Sequence, residues 1–415
     1  MFKVFKIALR NLRRYKRRTQ LTLALIIAGM VFFMVFSSVT GSFKDAMVGQ
    51  ITESFLGHLQ IHRAGYIAAI DNLPLQLNLQ SEQVQVIERT LDQEQAVAAY
   101  SKRIKFGGAF SNFEETTNIR INGVDPDMEF STCPQLLSRI VEGNADSSSL
   151  EKGKILVPEL LARGLKVKAG DTVVVVATNE VGSVNGKTFV IGGILSSATG
   201  PGGRDGYIHI DDARELLRMD ENGVSEFAIR IKDFDQVDKV RKRLLSAVAN
   251  QRTKEGKPVF EVHTWEKLSP FSNIAKMIDV MTFFLMLMLV AVVLISIMNV
   301  MIMAVYERIR EIGTIAAIGT QPRMILALFV TEGFLMGTLG TLIGLAIGLV
   351  IIFVLNYLGI DYSFGRTESL ILLPTISFPS VFLISALVIF VSVVASIQPA
   401  WKASKMEPID ALRHV

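Results

Sequence analysis

Apolar residues gather in four unbroken windows, Leu21–Val39, Met281–Val305, Gly333–Leu358 and Ser377–Ile397, none of which contains a charged side chain. A bilayer core of about 30 Å needs roughly 20 consecutive apolar residues in a helix, so each window predicts a membrane-crossing helix. Between the first and second windows the pattern changes to short alternating and β-branched runs separated by turn residues. Strands are predicted at Val97–Ala109, Thr117–Val124, Val173–Val176, Lys187–Leu195 and Phe227–Ile231, and along Gly57–Arg63, which alternates. Helices are predicted at Glu82–Glu94, Pro158–Leu165, Asp211–Leu217 and Gln236–Val248. Turn-rich breaks at Gly143–Ser149 and Ser196–Gly206 mark a division of this stretch into two lobes. Ahead of the first window, Phe2, Phe5, Leu9 and Leu12 recur at helical spacing among lysines and arginines, as in a helix lying in the membrane interface.

The predicted fold class is an α-helical membrane protein with four transmembrane helices and a large extracytoplasmic α+β domain of two subdomains. In boundaries, an amphipathic helix covers 1–18 and spanning helices cover 19–40, 275–305, 324–358 and 375–398. The α+β domain covers 41–274, a short helix and loop 306–323, an outer loop 359–374 and a tail 399–415. Composition agrees: half of the residues are hydrophobic and the mean hydropathy is +0.39.

Charge sets the expected orientation. Lys3, Lys6, Arg10, Arg13, Arg14, Lys16, Arg17 and Arg18 precede the first window with no acidic residue among them. Arg308, Arg310 and Arg323 lie between the second and third windows, and Lys402, Lys405 and Arg413 follow the fourth. The 359–373 loop holds Arg366 against Asp361 and Glu368. Basic residues beside spans stay in the cytoplasm, which puts both termini there and the α+β domain outside. A cleaved signal peptide would have a shorter apolar region and an A-x-A-like site, which the exit SSVTGSFKDAM lacks. Beside a spanning helix, the basic run suits anionic lipid headgroups better than nucleic acid, so membrane lipid is the expected contact and no nucleic acid is.

No constellation for catalysis stands out. Val181–Thr188 ends in Gly-Lys-Thr, but a phosphate loop needs glycine where Val181 stands, and the segment reads as a hairpin turn. His58 and His62 on one strand face would be about 13 Å apart, too far to share a metal. Cys133, the single cysteine, cannot form an intramolecular disulfide and reads as a small core residue. Glu332, near the start of the third span, reads as an interfacial carboxylate that stays hydrated. Gly340, Gly344 and Gly348, four residues apart, line one helix face for close packing, inside this chain or at a subunit interface.

The most informative stretch is Glu307–Gly319. Glu307, Arg308, Arg310 and Glu311 make a charged turn; Ile312, Ile315 and Ile318 follow at three-residue spacing, and Gly319 and Pro322 stop the helix. A short helix that is half apolar and half charged suits docking into a groove on a cytoplasmic partner.

Here the sequence resembles the permease subunits of one class of ABC transporter, that of the lipoprotein-releasing permeases, the macrolide exporters and the cell-division permease. The shared patterns are E-R-x-R-E-I-G-x-x-x-A-x-G at Glu307–Gly319, F-x-x-E-G at Phe329–Gly333 and P-A-x-x-A-S-x-x-x-P-x-x-A-L-R at Pro399–Arg413. A-L-R-N-L at Ala8–Leu12 and the stretch Val157–Asp171 fit as well. The resemblance implies a bacterial inner-membrane protein working by mechanotransmission. A separate ATPase dimer, carrying ATP and Mg, would dock on Glu307, Arg308, Arg310, Glu311, Ile312, Gly313, Ile315, Ile318 and Gly319. Its dimerisation would move the spans and the outer domain. The chain itself would bind no cofactor or metal and would pair with a second permease copy or a related permease. Length and the G-H-L-Q-I-H-R-A-G-Y stretch look most similar to the lipoprotein-releasing branch, whereas the E-R-x-R-E-I-G loop is closer to the macrolide exporters. The implied activity is extraction or release of lipoproteins, the alternatives being export of peptides or small molecules and signalling to wall hydrolases. A periplasmic lipoprotein carrier or adaptor would be a further partner, with the Gly200–Gly206 loop as a candidate contact.

Overall fold

A computed structural model of the chain describes residues 2–196, 204–219, 222–253, 256–364 and 367–406. Two compact units result: Met1–Asp45 with Lys276–Asp361 and Ile371–Val415, and Ala46–Ala275 with Tyr362–Leu370.

The first unit is helical. Among the described residues four helices are long and apolar enough to cross a membrane, at Lys16–Leu56, Ser272–Glu307, Pro322–Leu358 and Phe378–Ser404. They begin or end beyond the apolar windows because a helix continues wherever its backbone bonds are satisfied, in lipid or in water. The first runs without a break to Ile51 and closes in a π-helical turn, Thr52–Leu56. Pro322 opens the third, where a missing N–H is harmless and the fixed φ helps. The N-terminal helix Phe2–Arg14 buries Ala8 and Leu12 against Ile26, Met30, Val293, Ile297, Phe329, Val388 and Ala395 of a common core.

Close packing within this unit centres on glycines of the third long helix. A β-carbon at Gly340 would lie 2.6 Å from Ile26 Cγ2, one at Gly344 2.9 Å from Met30 Cβ and one at Gly348 2.7 Å from Met34 Sδ. All three therefore face the first long helix. Gly333 and Gly337 instead face Ser396 and Ser392 of the fourth, whose side chains a β-carbon at either glycine would overlap.

The second unit is α+β. Ten strands, β1 (Leu59–Arg63), β2 (Val97–Ser111), β3 (Thr116–Val124), β4 (Ile140–Gly143), β5 (Lys154–Pro158), β6 (Thr172–Thr178), β7 (Val184–Leu195), β8 (Asp205–His209), β9 (Glu226–Ile231) and β10 (Phe260–Thr264), form one sheet. Its order is β10-β1-β9-β2-β3-β8-β5-β7-β4, and β6 pairs with both β2 and β7. The circuit β2-β3-β8-β5-β7-β6 thus closes on itself, while β9, β1 and β10 extend from the other half of β2 as an open wing. The two lobes share β2: Val97–Arg103 pairs with β9 in the wing, and Gly108–Ser111 pairs with β6 in the ring. The breaks at 143–149 and 196–206 do not divide the lobes; they join β4, which pairs with β7 outside the circuit, to β5 and join β7 to β8, all on the ring side of β2. Residues 197–203 of the second lie outside the described residues, as do residues 407–415 of the tail, which hold the last seven residues of the closing motif.

Helices Ser81–Gln93 and Val237–Val248 pack on the wing, burying Val84, Ile87 and Leu91, and Val240, Leu244 and Val248, at three- and four-residue spacing. Pro158 caps the helix Glu159–Leu165 from outside; its first turn starts one residue later than predicted. Gly182, at φ +86°, turns the β6–β7 hairpin, so the Gly-Lys-Thr segment is a hairpin arm. Two further strands, Ile360–Phe364 and Thr367–Leu372, pair as a separate hairpin that the residue pattern did not predict.

Candidate functional site

The predicted docking segment is a break and a short helix. The helix Ser272–Glu307 ends where Arg308 adopts φ −112°, ψ 16°, and Ile309–Ala317 follows. Gly319, at φ +94°, terminates it: Thr320 N–H donates to the Ile315 carbonyl at 3.2 Å and Gly319 N–H to that of Ala316 at 3.0 Å. Glycine at a left-handed C′ position closes helices in this way because it carries no β-carbon.

This segment has two faces. Arg308, Ile309, Ile312 and Gly313 are buried. Glu307, Arg310, Glu311, Thr314, Ile315, Ile318 and Gly319 are exposed, with Ile318 at 80% and Ile315 at 42% of their full surfaces. Of the nine residues assigned to docking, Arg308, Ile312 and Gly313 face inward and hold the helix; the other six form the outward surface. Two large isoleucines held out on an anchored helix are the arrangement expected where a partner covers apolar surface.

The anchor is an ion pair that the sequence did not reveal. Glu332 is 2% exposed, so the expectation of a hydrated interfacial carboxylate is wrong. Its Oε1 accepts from Arg308 Nη1 at 2.9 Å and from Asn11 Nδ2 at 2.7 Å. The Arg308 guanidinium also stacks on the Tyr15 ring, 4.4 Å from the centroid. A carboxylate in such a setting persists only when paired and hydrogen-bonded, and the N-terminal helix and the break at Arg308 supply both partners. Two weaker links lie nearer the surface, Arg18 to Glu307 at 3.3 Å and Arg14 to Glu311 at 3.2 Å. The latter is half exposed on both sides and contributes little beyond orientation. One face of the N-terminal chain therefore reaches the break through Tyr15, the short helix through Arg14, the end of the second long helix through Arg18 and the third long helix through Asn11.

A second charged cluster is buried wholly within the α+β unit. Arg103, on β2, donates through Nε and Nη2 to both carboxylate oxygens of Glu129 at 2.9 and 2.6 Å, and through Nη1 to Glu226 at 3.1 Å. Its Nη1 also donates to the Phe55 carbonyl at 2.6 Å, in the π-turn that ends the first long helix. Cys133 Sγ lies 3.2 Å from Nη2, and burial pushes its thiol up to about 12, which leaves it an inert core group. Burial alone would raise the Glu226 carboxyl, but Lys105, a hydrogen bond with His62 and Arg103 outweigh it and hold it below the usual carboxylate range. His62 Nε2 sits 3.3 Å from Glu226. His58, four residues earlier, accepts the Ile231 N–H at Nδ1, and burial, then Arg230, lower it to about 4. Among the described residues no group of three or more His, Cys, Asp or Glu side chains is placed to hold a metal ion.

Residues 19–247 match the family model of the MacB-like periplasmic core domain, and residues 283–408 match that of the FtsX-like permease C-terminal region. A lipoprotein-releasing system transmembrane protein LolC from Neisseria meningitidis serogroup B is 23% identical, over 98% of this chain and 98% of its own length. The protein of the same name from Xylella fastidiosa is 26% identical over 71% of this chain and 72% of its own length. A macrolide export ATP-binding/permease protein MacB from Bdellovibrio bacteriovorus is 28% identical over 57% of this chain, a match spanning 36% of that longer protein.

Proposed function

Because the chain belongs to the family of ABC transporter permeases that join a MacB-like periplasmic core domain to an FtsX-like C-terminal region, we propose that it couples ATP hydrolysis on a separate ATPase dimer to movement of its α+β domain. On this reading the short helix Ile309–Ala317 is the docking element. Ile315 and Ile318 enter the partner, Glu307, Arg310, Glu311 and Gly319 border the contact, and Arg308, Ile312 and Gly313 transmit it. The observation that carries the reading is the division of this helix into an anchored face and a face with two exposed isoleucines. ATP and Mg belong to the partner. Both termini and the docking helix lie in the cytoplasm of a bacterial inner membrane, by the basic flanks, and the α+β domain lies outside.

The cargo we assign is lipoprotein, extracted or released from the membrane, with a second permease copy or relative completing the assembly. End-to-end alignment with a lipoprotein-releasing transmembrane protein supports this over the partial match to a macrolide exporter. The E-R-x-R-E-I-G loop supports the second reading, export of a peptide or small molecule. A periplasmic carrier would favour the first and an adaptor the second.

Affinity purification of the tagged full chain from native membranes tests both layers. Recovery of an ATPase, lost on Ile318→Asp while the chain stays folded, is the expected result, and co-purified lipoprotein would name the cargo. Recovery of the chain alone, even after crosslinking in cells, would refute the coupling.

A further inference from the structure

The N-terminal helix Phe2–Arg14 and the first turn of Lys16–Ile51 carry four stripes. At 100° per residue, Asn11, Arg14, Tyr15 and Arg18 form the first, which grips Glu332, Glu311, Arg308 and Glu307. Ala8 and Leu12 form the second, buried in the helical core. Phe5 and Leu9 form the third, and they are 44% and 37% exposed. Lys6, Arg10, Arg13 and Arg17 form the fourth, spaced four, three and four residues apart, all exposed. None of these four cations has an ion-pair partner among the described residues, whereas Arg14 and Arg18 of the first stripe are both paired.

An exposed apolar stripe beside an exposed cationic one matches the interface of an anionic membrane. The apolar side chains enter the boundary of the acyl region, and the guanidinium and ammonium groups meet headgroup phosphates. A nucleic acid would satisfy the cations but leave Phe5 and Leu9 in water. We propose that the outward half of this helix is a binding surface for anionic phospholipid, and that lipid held there sets the position of the docking segment gripped by the opposite half. The binding rests on the helix alone; only its consequence for ATPase docking rests on the function assigned above.

The full chain is reconstituted in nanodiscs of phosphatidylcholine with and without phosphatidylglycerol, and retained lipid is read by native mass spectrometry. Lys6→Gln/Arg10→Gln/Arg13→Gln/Arg17→Gln changes only exposed side chains, and Lys239→Gln/Lys242→Gln, exposed on the helix Val237–Val248 of the α+β unit, serves as the control elsewhere. Retention of phosphatidylglycerol is expected to fall by roughly fivefold per basic side chain at low salt in the quadruple variant, to fall less at high salt, and to be unchanged in the control. Amide exchange over residues 307–319 is expected to slow with phosphatidylglycerol in the wild-type chain and not in the quadruple variant. Equal lipid retention by wild type and quadruple variant would overturn the surface, as would tighter binding of a single-stranded RNA without preference for phosphatidylglycerol. Loss of retention with exchange over 307–319 indifferent to lipid would overturn the link to the docking segment. Neither readout requires an ATPase, so a failed co-purification leaves both outcomes legible.

Discussion

Glu332→Ala removes the carboxylate that both Arg308 and Asn11 bind. The guanidinium it strands is 5% exposed as a residue, and its Nε already lacks a hydrogen-bond partner among the described atoms. Removing one member of a buried ion pair costs about 3–5 kcal/mol, because the other charge stays in place without compensation. Arg308→Met orphans the carboxylate instead, with Asn11 as its one remaining partner here, and is expected to cost a similar amount. The double replacement Arg308→Met/Glu332→Leu leaves no buried charge, and such exchanges are often neutral. The coupling energy of the cycle is therefore expected to be about 3 kcal/mol or more, far above the roughly 0.5 kcal/mol scatter of independent sites. The assay is the fraction of each purified protein that stays monodisperse after heating in lipid nanodiscs. Both single variants should fail at lower temperature than the wild type, and the double variant should recover most of the loss. A double variant as damaged as the two singles combined would refute the idea that this pair anchors the short helix Ile309–Ala317.

The glycine face makes a graded prediction. Gly340→Ala and Gly344→Ala drive a β-carbon against Ile26 and against the Met30 β-carbon, and overpacking of this kind costs about 1–3 kcal/mol. Gly348→Ala meets the flexible thioether of Met34 and should be the mildest, and equal loss of heat resistance in all three would contradict the packing described. In the α+β unit, His58 is lowered from 6.5 to about 4. The unfolded chain then binds a proton that the folded one refuses, so its share of stability is whole above pH 6.5 and declines as pH falls toward 4. The loss amounts to about 3 kcal/mol. Thermal melts from pH 7 to pH 4 should show this slope, and His58→Gln should flatten it. Arg103→Met leaves Glu129 and Glu226 short of a cation and the Phe55 carbonyl without its donor, a loss of about 3–5 kcal/mol. A melt of that variant indistinguishable from wild type would show the cluster to be dispensable.

The four long helices were legible because lipid demands a signal that water does not: some twenty apolar residues without a charge. Five strands between Val97 and Ile231 were legible from alternating and β-branched runs, with bounds within three residues of the prediction because turn residues bracket them, whereas the short strands Ile140–Gly143, Lys154–Pro158 and Asp205–His209 were too brief to show a pattern. The closing pairs of β6 with β2 were not, since pairing between strands distant in sequence leaves no local trace. Glu332 shows the same limit at one side chain. Its distance from the basic loop suggested water, but Arg308 and Asn11 reach it from other helices, and Asn11 stands 321 residues away in the chain. Arg103 could have been flagged as a charge at an inward position of the run Ser101–Phe106, yet nothing in that run names Glu129 or Glu226 as its partners. The short helix Ile309–Ala317 was located by pattern, while the burial of Arg308, Ile312 and Gly313 depended on what packs behind them.

The strand β1 has a further consequence, for how the chain is made. Leu59 pairs with Ile229 on one side and Thr264 on the other, so both neighbours of β1 are synthesised about 200 residues after it. At translation rates of roughly 5–20 residues per second, a strand made early waits on the order of 10–40 s with both edges open. An unpaired strand is a template for wrong partners, including the same strand of a neighbouring nascent chain. Expression of this protein should therefore depend on a holding chaperone on whichever side of the membrane residues 59–264 emerge.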